Sequence, residues 1–250
     1  MTPRSASAQR PLEMVKTRCS SCNLKELCLP FGLTREELCR LDGLVSARKR
    51  IRHGDPLYHT DQPFDAIYAV RSGFFKTVLF NEDGREQVTG LHMSGELMGL
   101  DGIGNGIHRC SAVALEDSEV CVIPFAHLEN LSREISGLQH YFHQVMSREI
   151  VRDHGIMLLL GTMRAEERLA AFLLNLSQRF TARGYSADDF NLRMNREEIG
   201  SYLGMKLETV SRTFSRFQEF GLIAVHHKHI RILDIPGLNR LLTHLPQRSP

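Results

Sequence analysis

The 250-residue chain contains no tryptophan, no low-complexity tract and no apolar run long enough to span a bilayer. The first absence leaves aromatic packing to phenylalanine and tyrosine. The second excludes an extended repetitive linker, and the third excludes a helical membrane span, which needs about 20 consecutive apolar residues. Residues 1–16 hold no apolar stretch of signal-peptide length, so secretion is not expected and a cytoplasmic location is. Cysteines there meet a reducing milieu in which disulfides rarely persist. Net charge is small, +2 with histidine neutral. Residues 164–250 nevertheless hold thirteen Lys/Arg against nine Asp/Glu, a local surplus that permits nucleic-acid binding. A glycine-rich phosphate loop, a nucleophile elbow and the His-Glu pair of a zinc hydrolase are also missing, so no enzyme is expected.

Among the residues present, Cys19, Cys22 and Cys28 stand out, with two and then five residues between them on a segment without apolar periodicity. Thiolates this close in sequence can converge on one soft metal centre, either zinc or an iron-sulfur cluster. A fourth ligand would come from Cys39, Cys110 or Cys121 in the body of the fold. Cys39 falls inside a helix opened by the capping-box pattern Thr34 to Glu37, where packing beside Leu38 and Leu41 is its expected role.

Three regions follow. Residues 49–124 alternate short β-like runs (66–70, 74–80, 87–91 and 118–123) with turns at 71–73, 81–84, 94–95 and 102–106, the punctuation of a sandwich or roll. Residues 138–163 turn helical, with Phe142, Met146, Ile150, Met157 and Leu160 on one stripe and Asp153 set among them. Such a stripe between two domains predicts pairing with a second copy. Asp153 and Ile150 are then the candidate switch residues, because like carboxylates across a twofold seam oppose association. Residues 164–250 read helix (165–180), helix, turn, helix and two short strands. The expected division is a cysteine-rich segment 1–32, a β-roll 33–136, a dimerisation helix 137–163 and a DNA-binding domain 164–250.

Residues 196–213 fit a helix-turn-helix. Gly200 lets two helices approach, Gly204 supplies a left-handed turn, and Ile199, Leu203, Met205 and Val210 hold the crossing angle. Glu208, Ser211 and Arg212 then share one exposed face at i, i+3 and i+4. Arginine can grip guanine, a carboxylate can accept from cytosine and serine can serve several base edges. Residues 221–232 read as a β-wing whose tip, with His226, His227, Lys228, His229 and Arg231, suits phosphate better than a metal.

These segments together resemble the cAMP receptor protein/FNR superfamily of bacterial transcription regulators, and within it the oxygen-sensing FNR branch with its Anr-type members. The likeness spans nearly the whole chain. It is carried by Cys19-Ser20-Ser21-Cys22 through Cys28-Leu29-Pro30-Phe31, Tyr68-Ala69-Val70-Arg71-Ser72-Gly73 and Glu86-Gln87-Val88-Thr89-Gly90. It continues through Val120-Cys121-Val122-Ile123-Pro124-Phe125, Ala165-Glu166-Glu167-Arg168-Leu169 and Glu208-Thr209-Val210-Ser211-Arg212. The resemblance implies an α+β fold: an N-terminal jelly roll of the cyclic-nucleotide-binding type, a long dimerisation helix and a C-terminal winged helix-turn-helix. It also implies a [4Fe-4S] cluster on Cys19, Cys22, Cys28 and Cys121, the last because it precedes Ile-Pro-Phe. Oxygen would convert that cluster to [2Fe-2S] and then destroy it, releasing a cluster-loaded homodimer to apo monomers. Implied partners are double-stranded promoter DNA with TTGAT-like inverted repeats, read by Glu208, Ser211 and Arg212, and RNA polymerase; no membrane partner is implied. Arg85 departs from the acidic residue of the branch in a polymerase-contacting loop.

Three other readings bear on the same residues. Zinc could occupy the same four thiols, and Cys110 is the rival fourth ligand. A cyclic-nucleotide sensor is suggested by Gly95-Glu96-Leu97, but Arg109 is followed by Cys110 where the cassette needs a hydroxyl, and a thiol is the weaker phosphate donor.

Overall fold

A computed structural model describes residues 18–45, 47–80 and 84–242; residues 1–16 and the turn residues Asn81, Glu82 and Asp83, read above from sequence, lie outside the described residues. The cysteine segment opens with a 3-10 turn, Cys19–Ser21, and leads to helix α1, Arg35–Leu41. The predicted capping box is formed: the Thr34 hydroxyl accepts from the Glu37 amide and the Glu37 carboxylate accepts from the Thr34 amide. One expectation is corrected here. Cys39 is exposed, because α1 buries Leu41 and half-buries Leu38 while the intervening position turns to solvent.

Eight antiparallel strands follow: β1 Ala47–Ile51, β2 Pro56–Tyr58, β3 Ala66–Ser72, β4 Phe74–Phe80, β5 Glu86–Met93, β6 Leu97–Met98, β7 Ser111–Ala114 and β8 Ser118–Pro124. They form two four-stranded sheets, ordered β1-β8-β3-β6 and β2-β7-β4-β5. Non-sequential neighbours in both sheets are the mark of a roll rather than a meander. The roll's interior is filled by side chains. His108, 1% exposed, stacks on Tyr58 at 3.8 Å between centroids and meets Phe64 edge-on at 5.6 Å. Asp101 closes the same place by accepting from the backbone amides of Arg109 (2.7 Å) and Cys110 (3.2 Å).

Helices α2, Phe125–Glu134, and α3, Ser136–Thr162, run out of β8. The N-terminal half of α3 buries Leu138, Tyr141 and Val145 in one apolar cluster with Leu29, Leu41, Leu44 and Cys121. Its far end joins another: Ile156, Leu159, Leu160 and Met163 pack with the C-terminal region. The predicted stripe is therefore divided. Phe142 and Leu160 pack within the chain, whereas Ile150 (55%) and Met157 (64%) are exposed beside Val151 (65%) and Leu158 (52%).

Helix α4, Ala165–Thr181, is followed by β9 Asp189–Asn191, α5 Arg196–Leu203, α6 Leu207–Glu219, β10 Ile223–His226, β11 His229–Ile232 and α7 Ile235–Leu242. The wing is a three-stranded sheet, β10-β11-β9. Arg168 pins this region to α3: its guanidinium donates to the carbonyls of Leu160 (2.8 Å), Met163 (2.9 Å), Leu203 (2.9 Å) and Gly204 (3.2 Å). Among the described residues no helix is long and apolar enough to cross a membrane.

Candidate functional site

The two halves of the cysteine site come from different parts of the chain. Cys121 lies mid-strand in β8, paired on one side with Arg48 of β1 and on the other with Ala69 of β3. Its thiol enters the apolar cluster against which Cys19 and Cys28 pack. Cys22 stands with its sulfur 4.0 Å from the Arg71 guanidinium, which also pairs with Glu119 at 3.4 Å. Burial pushes the Cys19 thiol up to about 12, and the nearby Cys121, Asp42 and Cys22 add to the rise. Burial raises Cys28 as well, with Cys19, Cys121 and Cys22 adding to it, and it raises Cys121 against the opposing pull of Arg71. Each of these thiols thus feels others of the same four. They converge on a region rather than a point: among the described residues no group of three or more His, Cys, Asp or Glu is closed to the spacing of a single bound ion.

The other two cysteines stand apart. Cys110 donates to Asp101 at 3.5 Å; burial, with Asp101 next, pushes its thiol up to about 12, and Tyr58 hydrogen-bonds it. Its neighbours belong to the aromatic filling of the roll, not to the cysteine segment. Four thiols, three of them in or against one apolar cluster, are soft donors of the kind an iron-sulfur cluster requires.

A second constellation was not legible as a site in the sequence. Glu96, just before β6, accepts from Arg179 at 2.7 Å and from Arg183 at 2.6 Å, both on the far end of α4 or just beyond it. Burial alone would raise the Glu96 carboxyl; Arg179 and Arg183 outweigh it and hold it below its ordinary range. His92 nearby is buried, and burial first and then Arg152 drive its imidazole down to about 3. Along the same seam Lys76 pairs with Glu198 at 3.0 Å, the Val88 backbone amide donates to the Ser201 hydroxyl at 2.8 Å, and the Gln87 side-chain amide donates to the Ser201 carbonyl. The first helix of the helix-turn-helix is therefore docked on β5. The signal for Glu96 was the Gly95-Glu96-Leu97 string, but sequence could not show that its carboxylate faces α4.

The helices and turn of the motif form as the sequence predicts. Asn195 caps α5 through the Glu198 amide, and Gly204 ends it at φ +61°. A Cβ on Gly200 would come within 2.6 Å of the Met205 carbonyl, so the close return of the turn excludes any side chain there. Helix α6 buries Val210, Thr213, Phe214 and Phe217 and leaves Glu208, Ser211 and Arg212 exposed. At the wing, His226, His227 and Lys228 are exposed, while His229 pairs with Asp189 at 2.6 Å.

Comparison with known proteins places both halves. Residues 167–241 match the Crp-like helix-turn-helix domain and residues 48–134 the cyclic nucleotide-binding domain. The chain is 51% identical over 232 residues to the transcriptional regulatory protein btr of Bordetella pertussis, covering 93% of this chain and 96% of that one. It is 47% identical over 219 residues to the transcriptional activator protein Anr of Pseudomonas protegens, covering 88% and 90%. To the fumarate and nitrate reduction regulatory protein of Escherichia coli K12 it is 44% identical over 226 residues, 90% of each chain. Among solved structures, FixK2 from Bradyrhizobium japonicum superposes with a TM-score of 0.72 at 29% identity, over 78% of this chain and 96% of that one.

Proposed function

The chain belongs to the FNR-type branch of the CRP/FNR transcription regulators, and from that premise we propose that it is an oxygen-responsive regulator whose DNA affinity is set by a [4Fe-4S] cluster on Cys19, Cys22, Cys28 and Cys121. The observation that carries this reading is the packing of Cys19 and Cys28 against the apolar cluster that holds both Cys121 and the buried face of α3. When bound, the cluster supplies an oxygen-labile bond between the cysteine segment and the roll. The chain's own residues do the rest. Leu29 lies against the N-terminal half of α3, and Phe31 sets its ring 5.4 Å from that of Tyr141. Ordering the segment therefore bears directly on the helix whose exposed face would pair with a second copy.

The test is anaerobic iron and sulfide analysis combined with promoter-DNA binding before and after exposure to air. Four irons per chain with oxygen-reversed binding supports the reading. A colourless protein that binds DNA equally in both conditions would mean a structural metal, or none.

Asp153 is the brake on association in this reading. It is exposed between Ile150 and Met157 on the outward face of α3, so pairing would bring two like carboxylates together and strip their water. Asp153→Ala is expected to dimerise and bind DNA in air without any cluster, whereas the wild type stays monomeric. Sedimentation of both apo proteins at equal concentration decides it, and a monomeric variant would sink the idea.

Arg212 is assigned a base contact and Lys228 a phosphate contact. Arg212→Ala is expected to cost about 1–3 kcal/mol and to relax specificity at one base pair. Lys228→Ala is expected to weaken all sequences alike and flatten the salt dependence. Equal loss of specific and random binding in Arg212→Ala would show that α6 is not the reading element.

A further inference from the structure

Asp42 follows α1 directly, its own amide donating to the Leu38 carbonyl at 3.0 Å. Both of its carboxylate oxygens are used on one partner twenty-two residues away: the Ser20 amide donates to Oδ1 at 2.9 Å and the Ser20 hydroxyl to Oδ2 at 2.6 Å. Ser20 is the residue after Cys19, inside the 3-10 turn that the Cys22 amide closes on the Cys19 carbonyl at 3.1 Å. Beyond it the segment is a series of short backbone turns, Lys25 to Cys22, Leu27 to Leu24 and Phe31 to Cys28. Turns of this kind do not by themselves fix where two thiols point relative to a strand elsewhere in the fold.

The opposite side of Asp42 is anchored. Leu41 and Leu44, 1% and 4% exposed, lie in the apolar cluster with Cys121, Leu138 and Tyr141. A two-pronged, charge-assisted acceptor on a buried helix end is thus the stitch between the Cys19–Cys22 turn and the body that carries the fourth thiol.

We propose that Asp42 is a positioning residue for the metal ligands: it holds the Cys19–Cys22 turn beside the body that carries Cys121 before any iron arrives, and ties that turn to α1 and so to α3. The assignment rests on the four-cysteine reading above for its purpose, but the hold itself is a property of the apo protein. It can therefore be measured without iron.

The experiment is the rate of iodoacetamide alkylation of each cysteine in anaerobic apo protein, resolved by peptide mass spectrometry, with Cys110 as internal reference. Asp42→Ala removes both acceptor oxygens, so both Ser20 hydrogen bonds are lost. Cys19 and Cys22 are expected to react roughly tenfold faster than in the wild type, with Cys110 unchanged. Ser20→Ala keeps the carboxylate and loses only the hydroxyl bond, and a rise of roughly threefold is expected there. This second variant separates a loosened turn from a change in local charge: acceleration in Asp42→Ala with none in Ser20→Ala would be electrostatic and would overturn the proposal. Unchanged rates in both would overturn it too. Anaerobic iron and sulfide uptake by the wild type runs alongside. A wild type that takes up no cluster removes the four-cysteine reading, while the alkylation rates still report whether Asp42 holds the turn.

Discussion

Cys121→Ser protein, reconstituted anaerobically with iron and sulfide, is expected to hold no four-iron cluster, while Cys110→Ser and Cys39→Ser proteins fill completely. The expectation is all-or-none because three cysteines on one short segment leave a cluster corner open, and a serine hydroxyl is a hard donor where iron-sulfur chemistry calls for a soft one. The geometry separates the rivals. Cys121 sits mid-strand beneath the cysteine segment, in the same apolar cluster as Cys19 and Cys28. Cys110 is engaged by Asp101 and Tyr58 in the aromatic interior of the roll, and Cys39 faces solvent. Visible absorption and iron per chain read the result. A Cys121→Ser protein with four irons beside a Cys110→Ser protein with none would reverse the assignment.

Glu96→Gln carries the largest expected loss of stability. Arg179 and Arg183, with side chains 15% and 7% exposed, both point at this carboxylate. An amide leaves two guanidinium charges near the seam without their counter-ion, and breaking a buried pair from one side costs about 3–5 kcal/mol. The measurement is a urea melt at pH 7 compared with one in mild acid. The sign follows from the depressed carboxyl of Glu96: its stabilisation is present above the ordinary carboxyl range and disappears as pH falls through the folded value. The gap between wild type and variant is therefore widest at neutral pH and closes in acid. Matching midpoints at pH 7 would mean that water, rather than Glu96, solvates the two arginines.

The helix-turn-helix was legible almost residue by residue, because its constraints are local: a capping box, a left-handed glycine, a glycine too close to a carbonyl for any side chain, and a four-residue apolar set. Strands β3, β4, β5 and β8 were legible for the same reason, through runs of β-branched and aromatic residues between glycine turns. β2, β6 and β7 were not. They are two to four residues long, and pairing across the roll rather than any pattern of their own makes them strands. Helix α2 and helix α7 were also missed. At the cysteine site the spacing of Cys19, Cys22 and Cys28 announced itself, and Cys121 was reached only through its Ile-Pro-Phe context. Asp42 and Arg71 had no signal at all, since their contacts join positions 22 and 49 residues apart. The exposure of Cys39 was misread because an amphipathic stripe says which side of a helix is buried only once the neighbour is known.

The four hydrogen bonds of Arg168 tie the end of α3 to the turn of the helix-turn-helix. Helix α3 has 27 residues, which at about 1.5 Å each makes an arm of about 40 Å. Swinging such an arm by about 5° moves its tip by about 3.5 Å, close to the 3.4 Å step between neighbouring base pairs. A change of a few degrees in the set of α3 is therefore enough to carry the turn of the motif by one base-pair step, with no element unfolded.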